Sequence, residues 1–94
     1  MKNPATNDEL TFFYRAVLAL ETEEECRAFF DDLLTLNELV SIPQRLEVAR
    51  MLNEGKPFLE ITEKTGASTA TIGRVSRCLK RGADGYKTIL GRIK

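Results

Sequence analysis

The chain has 94 residues, 43% of them apolar, and its fourteen basic residues balance fourteen acidic ones. This length suits one domain and is too short for two, so residues 1–94 are predicted to form a single domain. There is no histidine, which excludes a histidine general base, a Ser-His triad and an imidazole metal ligand. Cys26 and Cys78 form no CxxC pair, so no metal site is predicted, and both are interpreted as buried small apolar residues.

The composition also bears on location and catalysis. Two isolated cysteines and no stretch resembling a signal peptide predict a reducing, cytoplasmic environment. The apolar runs are far shorter than the roughly 20 residues that span a bilayer, so no membrane partner is expected. The adjacent acids Asp31 and Asp32 would point about 100° apart on a helix, which is unsuited to a general acid/base pair. We therefore predict that the chain is not an enzyme.

The zero net charge hides a gradient along the chain. Residues 1–54 carry eleven acidic and five basic residues, whereas residues 74–94 carry seven basic residues and one acidic residue, Asp84. This asymmetry is typical of a chain with one end facing a polyanion and another end that is solvated or self-associates. From charge alone, a solvated helix face followed by a basic tail explains the pattern equally well.

Apolar residues three and four positions apart predict helices along the chain, and no stretch alternates as a β-strand would. The first helix follows a loose arm over residues 1–7 and presents one apolar stripe: Leu10, Phe13, Tyr14, Val17 and Leu20. Two capping boxes, Thr22-x-x-Glu25 and Thr35-x-x-Glu38, mark the next two helix starts. The predicted fold class is all-α, with five to seven helices.

Pro43 leaves two descriptions of the third helical stretch open. Either one helix bends at Pro43, or a short helix ends near Val40 and another begins at Ser41. We favour the break, because a proline deep inside a helix costs roughly 3 kcal/mol. Gly55 can end the stretch in a left-handed conformation. The residues expected to face inward are Leu46, Ala49, Leu52 and, as a further candidate, Met51.

Residues 57–80 carry the most informative pattern, two short helices joined by about three residues. The first begins at Pro57 and ends at Thr65-Gly66, where glycine permits the positive φ of a sharp turn. Ser68 is a good N-cap for the second helix, whose inward residues are Ile72, Val75 and Leu79. This arrangement is the helix-turn-helix plan.

The outward face of the second helix has the composition expected in the major groove of DNA. Its first turns expose small residues that let a helix approach base edges: Thr69, Ala70, Thr71 and Gly73. Basic residues that can contact phosphates or guanine follow on the same helix: Arg74, Arg77 and Lys80. Lys64 and Arg81 are further candidates. Ser68 is expected to help position the phosphate backbone. A helical hairpin with a polar face is the alternative explanation.

The run Thr65 to Lys80, TGASTATIGRVSRCLK, resembles the turn and recognition helix of the Trp repressor family, above all its small YerC/YecD-type bacterial members. The resemblance covers about residues 10–92 and implies an intertwined homodimer of six-helix chains with double-stranded DNA as partner. Tyr86, Ile89, Leu90 and Ile93 would face the second copy. The implied parts are dimerisation helices over residues 8–54, the helix-turn-helix over residues 57–80 and a last helix over residues 84–93.

The resemblance also bears on a small-molecule effector. In the Trp repressor, tryptophan lies between two arginines, and the matching positions here are Arg45 and Arg74, with Thr35 nearby. This chain departs from the pattern at Val75, where the repressor has glycine. The isopropyl group would occupy space that an indole ring needs, so we expect no tryptophan-type corepressor and no other cofactor. The sequence identifies no other effector.

We therefore predict a sequence-specific transcriptional regulator, expected to be a repressor, that binds DNA as a homodimer through its helix-turn-helix. The alternative is a protein-interaction module of the same fold that does not bind DNA. In that case the aromatic residues of the first two helices would contact another protein: Phe12, Phe13, Phe29 and Phe30.

Overall fold

The computed structural model describes residues 6–93, which form six α-helices and no strand. This confirms the all-α class. In chain order the helices are α1 (Asn7–Leu18), α2 (Glu23–Leu33), α3 (Leu36–Asn53), α4 (Phe58–Thr65), α5 (Thr69–Arg81) and α6 (Gly85–Arg92). None of these helices is both long enough and apolar enough to cross a membrane. Most of the predicted N-terminal arm lies outside the described residues.

Side-chain caps fix the first two helix starts. Thr22 Oγ1 accepts a hydrogen bond from the Glu25 N–H at 3.0 Å, as predicted. The Glu25 carboxylate, however, accepts from the N–H of Glu21 rather than that of Thr22, so the return bond of the predicted capping box is misplaced by one residue. A complete capping box that the sequence analysis missed joins Thr6 and Glu9 and starts α1 one residue before its predicted start.

Helix α3 runs unbroken through Pro43, so the predicted break is wrong. Proline has no N–H, so the helix lacks one hydrogen bond at that position. Contacts of α3 with α4, α5 and α6 hold it as one rod. The residues that α3 buries, Val48, Ala49 and Met51, all follow Pro43, whereas Ile42 before the proline and Leu46 after it line one groove with residues of α5 and α6. These contacts are tertiary, and the local sequence around Pro43 does not reveal them.

The C-terminal end of α3 follows the prediction at Gly55. This glycine has φ +83°, the left-handed conformation expected at a helix end. The N–H of Gly55 bonds to the Leu52 carbonyl at 3.0 Å, and the N–H of Lys56 bonds to the Met51 carbonyl at 3.0 Å. Together these two bonds form a Schellman motif, which stops α3 and turns the chain toward α4.

The chain divides into two compact units, and the buried core lies in the second. One unit ends at Thr35 and the other begins at Leu36. Ile72 and Val75 share a buried cluster with Ile61, as predicted. Leu46, predicted to face inward, is exposed, whereas the fully buried Val48 was not predicted. The buried residues are Val48, Ala49, Met51, Ile61, Ala67, Ile72 and Val75, with Leu52, Leu79, Tyr86 and Leu90 packed against them.

The first unit contains α1 and α2 and buries no residue of either helix. Large apolar side chains remain exposed on it, among them Phe12, Tyr14 and Leu18. Cys26 is half-buried, as is Cys78 in the second unit, and both are free thiols, so the prediction that they are buried is wrong for the single chain. Since apolar burial is the main driving force of folding, these helices are candidates for contact with another chain.

Candidate nucleic-acid interface

The turn between α4 and α5 comprises residues 66–68 and sets the direction in which α5 leaves. Gly66 has φ +74°, and its N–H closes the end of α4 on the Thr62 carbonyl at 2.9 Å. The Thr65 hydroxyl donates to the Ile61 carbonyl at 2.7 Å and accepts from the Ala67 N–H at 3.1 Å. Ala67 is buried beneath the turn. The predicted helix-turn-helix therefore forms, with its glycine in the required left-handed conformation.

Ser68 caps α5, as predicted. Its Oγ accepts a hydrogen bond from the Thr71 N–H at 3.1 Å and donates one to Thr71 Oγ1 at 3.2 Å. The single hydroxyl proton of Ser68 is thus directed to Thr71. The N–H groups of Thr69 and Ala70 belong to the first helical turn, which has no internal acceptors, so they are free to meet an anion.

The small residues of α5 divide into two groups. Thr69 and Ala70 are exposed, as predicted, but Thr71 and Gly73 are half-buried. Thr71 is engaged by Ser68, and the guanidinium of Arg77 covers Gly73, with Nη1 3.7 Å from the place where a Cβ of residue 73 would lie. Of the four small residues, Thr69 and Ala70 are therefore the two that are open to a ligand.

The basic side chains of α5 carry uncompensated charge. Arg74, Arg77 and Lys80 are all exposed. In the part of the chain that the structure describes, no carboxylate lies within 4.0 Å of any of the three, and the ion pairs that do form involve Arg27, Arg50 and Lys56. Since α5 itself contains no acidic residue, its exposed face presents a concentrated positive potential to a polyanion.

A groove of ≈ 300 Å³ runs between α3, α5 and α6. Arg45 and Arg74 both line it, so the structure brings together two of the residues that the resemblance indicated. The buried Val75 forms part of its wall. Thr35, the third residue, belongs to the first compact unit. The remaining lining residues are Ile42, Leu46, Cys78 and Tyr86.

Gln44 is a residue at this site that the sequence analysis missed. Its Nε2 donates a hydrogen bond of 2.9 Å to the carbonyl of Thr65, 21 positions away along the chain. The bond joins α3 to the last residue of α4. A glutamine on a helix is equally compatible with solvent, so no local signal in the sequence could have indicated this contact.

Tyr86 and Leu90 of α6 make contacts that the resemblance did not indicate. They pack against the core of their own chain, whereas Ile89 and Ile93 are exposed. A helix with apolar residues on two sides contacts more than one surface, and the sequence alone does not say which side meets which. Of the four residues expected to face a second copy, Ile89 and Ile93 are exposed, and Tyr86 and Leu90 are half-buried.

Comparison with known proteins extends these observations. The family model described as Trp repressor protein matches residues 8–94. The uncharacterised protein YerC of Bacillus subtilis (strain 168) is 55% identical over 86 residues, which are 92% of this chain and 83% of that protein.

Two crystal structures share the fold. A candidate Trp repressor from Staphylococcus aureus has 48% identity and a TM-score of 0.88, covering 93% of this chain and 87% of that one. A TrpR-like protein from Eubacterium eligens ATCC 27750 has 46% identity and a TM-score of 0.89, covering 93% and 90%. Since the family model spans nearly all of the sequence and the helices superpose on these structures, the chain belongs to the Trp repressor family, a family of regulators.

Proposed function

We propose that this chain is a sequence-specific DNA-binding transcriptional regulator, a repressor rather than an activator, that works as a homodimer in the cytoplasm and catalyses no reaction. The observation that carries the proposal is the surface of α5. Small exposed residues lie at its N-terminal end, and Arg74, Arg77 and Lys80 follow with no carboxylate partner among the described residues. Membership of a regulator family supports the same function.

In this proposal α5 enters the major groove of double-stranded DNA with its N-terminal end foremost. Thr69 and Ala70 reach base edges, where the alanine methyl suits a thymine methyl and the hydroxyl can donate or accept. Thr71 and Gly73 keep the flank of the helix narrow. Arg74, Arg77 and Lys80 contact phosphates or guanine, and Ser68 orders the first turn beside the phosphate backbone.

The homodimer is proposed because of the apolar surface of the first unit. No residue of α1 or α2 is buried in the single chain, and Tyr14 and Leu18, one turn apart on α1, are 57% and 84% exposed. A second copy that covers this surface would remove it from water. Two helix-turn-helix segments would then contact successive major grooves, so a roughly palindromic site is expected.

Duplex binding measured across a salt series tests the proposal. Arg77→Ala and Lys80→Ala are expected to weaken binding to all sequences and to lower the salt slope by roughly one for each phosphate that is no longer neutralised. Arg27→Ala serves as the control, because Arg27 lies on α2 and is already paired with Glu23. The proposal fails if the Arg77 and Lys80 variants keep the affinity and salt slope of the wild type.

A protein-interaction module without DNA binding is the second candidate, favoured by the exposed Phe12 and Phe13 on α1. The other two aromatic residues named for this role, Phe29 and Phe30, are half-buried and pack on each other with ring centroids 5.2 Å apart. A mobility-shift measurement at low salt separates the two candidates. A DNA-binding chain shifts a random duplex through its phosphates, whereas an interaction module leaves it unshifted.

We further propose that tryptophan is not a corepressor of this chain. Arg45 and Arg74 could pair with a carboxylate in the groove. Val75 forms part of the wall beside them, and its isopropyl group occupies space that an indole ring needs. Adding L-tryptophan is therefore expected to leave the affinity for duplex DNA unchanged and to give no heat of binding in a calorimetric titration. An affinity that rises with tryptophan concentration would contradict this.

A further inference from the structure

The side chain of Gln44 connects two elements that are distant in sequence. It projects half-buried from the middle of α3, and its Nε2 donates to the Thr65 carbonyl at 2.9 Å. Thr65 ends α4, so its carbonyl is one of the four that a helix leaves without an internal partner. Gln44 satisfies this acceptor and at the same time ties the end of α4 to α3.

The other hydrogen bonds at the turn are local. Gly66 bonds back to Thr62, and the Thr65 hydroxyl bridges the Ile61 carbonyl and the Ala67 N–H. These bonds shape the turn but do not orient it relative to a neighbouring helix. Gln44 supplies that orientation, and its amide also lies over the turn, 4.0 Å from where a Cβ of Gly66 would be.

We propose that Gln44 is a positioning residue for sequence readout by α5, which rests on the proposed function. Ile61, Ile72 and Val75 fix the packing of α4 against α5 from the buried side. Gln44 holds the backbone of the turn from the other element, α3. Without this hydrogen bond the turn over residues 66–68 gains freedom, and the N-terminal end of α5 loses its fixed placement.

The consequence differs along α5. Thr69 and Ala70 directly follow the turn, so a small displacement moves them relative to base edges, where hydrogen bonds tolerate little error. Arg77 and Lys80 lie two or three turns further on, and their long side chains can still reach phosphates. Loss of the Gln44 bond therefore reduces discrimination between sequences more than it reduces general attraction to DNA.

Three variants test this inference. Gln44→Met keeps the length of the side chain and removes the donor, Gln44→Lys keeps an N–H donor of similar reach, and Ser41→Ala is a control at an exposed position of α3. Wild-type protein first selects a preferred 30-base-pair duplex from a randomised pool. Each variant is then titrated across a salt series with that duplex and with a duplex of shuffled sequence.

We expect Gln44→Met to lose roughly three- to tenfold in affinity for the selected duplex, the effect of one hydrogen bond. Its affinity for the shuffled duplex and its salt slope stay at wild-type values. Amide hydrogen exchange at Ala67 and Ser68 becomes faster. Gln44→Lys restores the ratio between the two affinities, even though its added charge raises both, and Ser41→Ala behaves as wild type.

The outcomes separate this inference from the proposed function. If wild-type protein discriminates between the duplexes and Gln44→Met discriminates equally well, the positioning role is overturned while the proposed function stands. If Gln44→Met binds the selected and the shuffled duplex more weakly by the same factor, and its melting temperature also falls, Gln44 has only a structural role and the inference is overturned as well. Wild-type protein that binds neither duplex overturns the proposed function and this inference with it.

Discussion

Gly73 occupies the middle of α5, where glycine destabilises a helix by about 1 kcal/mol relative to alanine. A Cβ at this position would lie 3.7 Å from Arg77 Nη1, which is an ordinary van der Waals contact. We therefore predict that Gly73→Ala raises the free energy of unfolding by about 0.5–1 kcal/mol. The same methyl thickens the helix where it should approach base edges, so affinity for a preferred duplex falls. Urea unfolding and a duplex titration measure the two effects.

Gly66 responds in the opposite way to the same substitution. Its φ of +74° lies in the left-handed region, which costs an alanine about 1–2 kcal/mol. We predict that Gly66→Ala lowers the free energy of unfolding by this amount. Gly66→Asn is the matched control, since asparagine tolerates the left-handed conformation better and should lose less. Equal stabilities of the alanine and asparagine variants in urea unfolding would contradict the prediction.

On α3, Arg50 donates hydrogen bonds to both carboxylate oxygens of Glu47, one of them from Nε at 2.9 Å. These bonds hold the pKa of Glu47 below its ordinary value of 4.5, although partial desolvation opposes them. A carboxylate with a lowered pKa in the folded state stabilises the fold above the unfolded-state pKa, and this contribution disappears as the pH falls through the folded-state pKa. Stability should therefore decrease in acid, beginning near pH 4.5.

Glu47→Gln removes this titration from α3. We predict that the variant loses less stability on acidification than the wild type, a small effect because both side chains of the ion pair are about half exposed. Melting temperatures between about pH 3 and pH 7 measure it. Glu63→Gln is the control, because Glu63 is exposed and forms no ion pair with another described residue. If the melting temperatures of the wild type and of Glu47→Gln fell by the same amount on acidification, the prediction would be contradicted.

The boundaries of these helices show what local chemistry can and cannot specify. Gly55, Gly66 and Ser68 were predictable because a positive φ or a capping hydroxyl acts within a few residues. Pro43 was misjudged because the helix tolerates the one missing hydrogen bond, and the residues on both sides of the proline, Ile42 and Leu46, line the same groove. Local signals determine where a helix begins and ends. Whether a helix continues past an unfavourable residue inside it also depends on tertiary contacts.

The same distinction applies to the candidate interface. The basic face of α5 was predictable, since 100° per residue places Ala70, Arg74 and Arg77 away from the buried Ile72 and Val75. The Gln44–Thr65 hydrogen bond was not, since it spans 21 residues and depends on how α3 lies against α4. The half-burial of Thr71 was also not predicted, although the Ser68 hydroxyl that pairs with it belongs to a predicted local cap.

The charge of the whole chain is distributed unevenly along its length. The acidic residues concentrate in residues 1–54 and the basic residues in residues 74–94. The first unit combines that acidic charge with helices that bury nothing in the single chain. An acidic surface is repelled by DNA, so a role in self-association suits this part of the chain, and the basic end is left for the polyanion.

Tyr14 and Leu18 lie one turn apart on α1, and both are exposed in the single chain. If a second copy covers them, a buried charge at either position destabilises the complex. We predict that the chain sediments at twice its mass of 10.6 kDa and that a Tyr14→Glu, Leu18→Glu double variant sediments as a monomer. The melting temperature of the wild type should rise with protein concentration, as expected for a dimer whose dissociation accompanies unfolding.

Phe12→Glu is the control for this experiment, since 100° per residue places Phe12 roughly opposite Tyr14 on α1. This variant should remain dimeric although Phe12 is 74% exposed. Dissociation by Phe12→Glu, with the double variant still dimeric, would place the interface on the other side of α1. If the wild type sediments at the mass of one chain, no second copy covers α1 and α2, and the proposed homodimer is refuted.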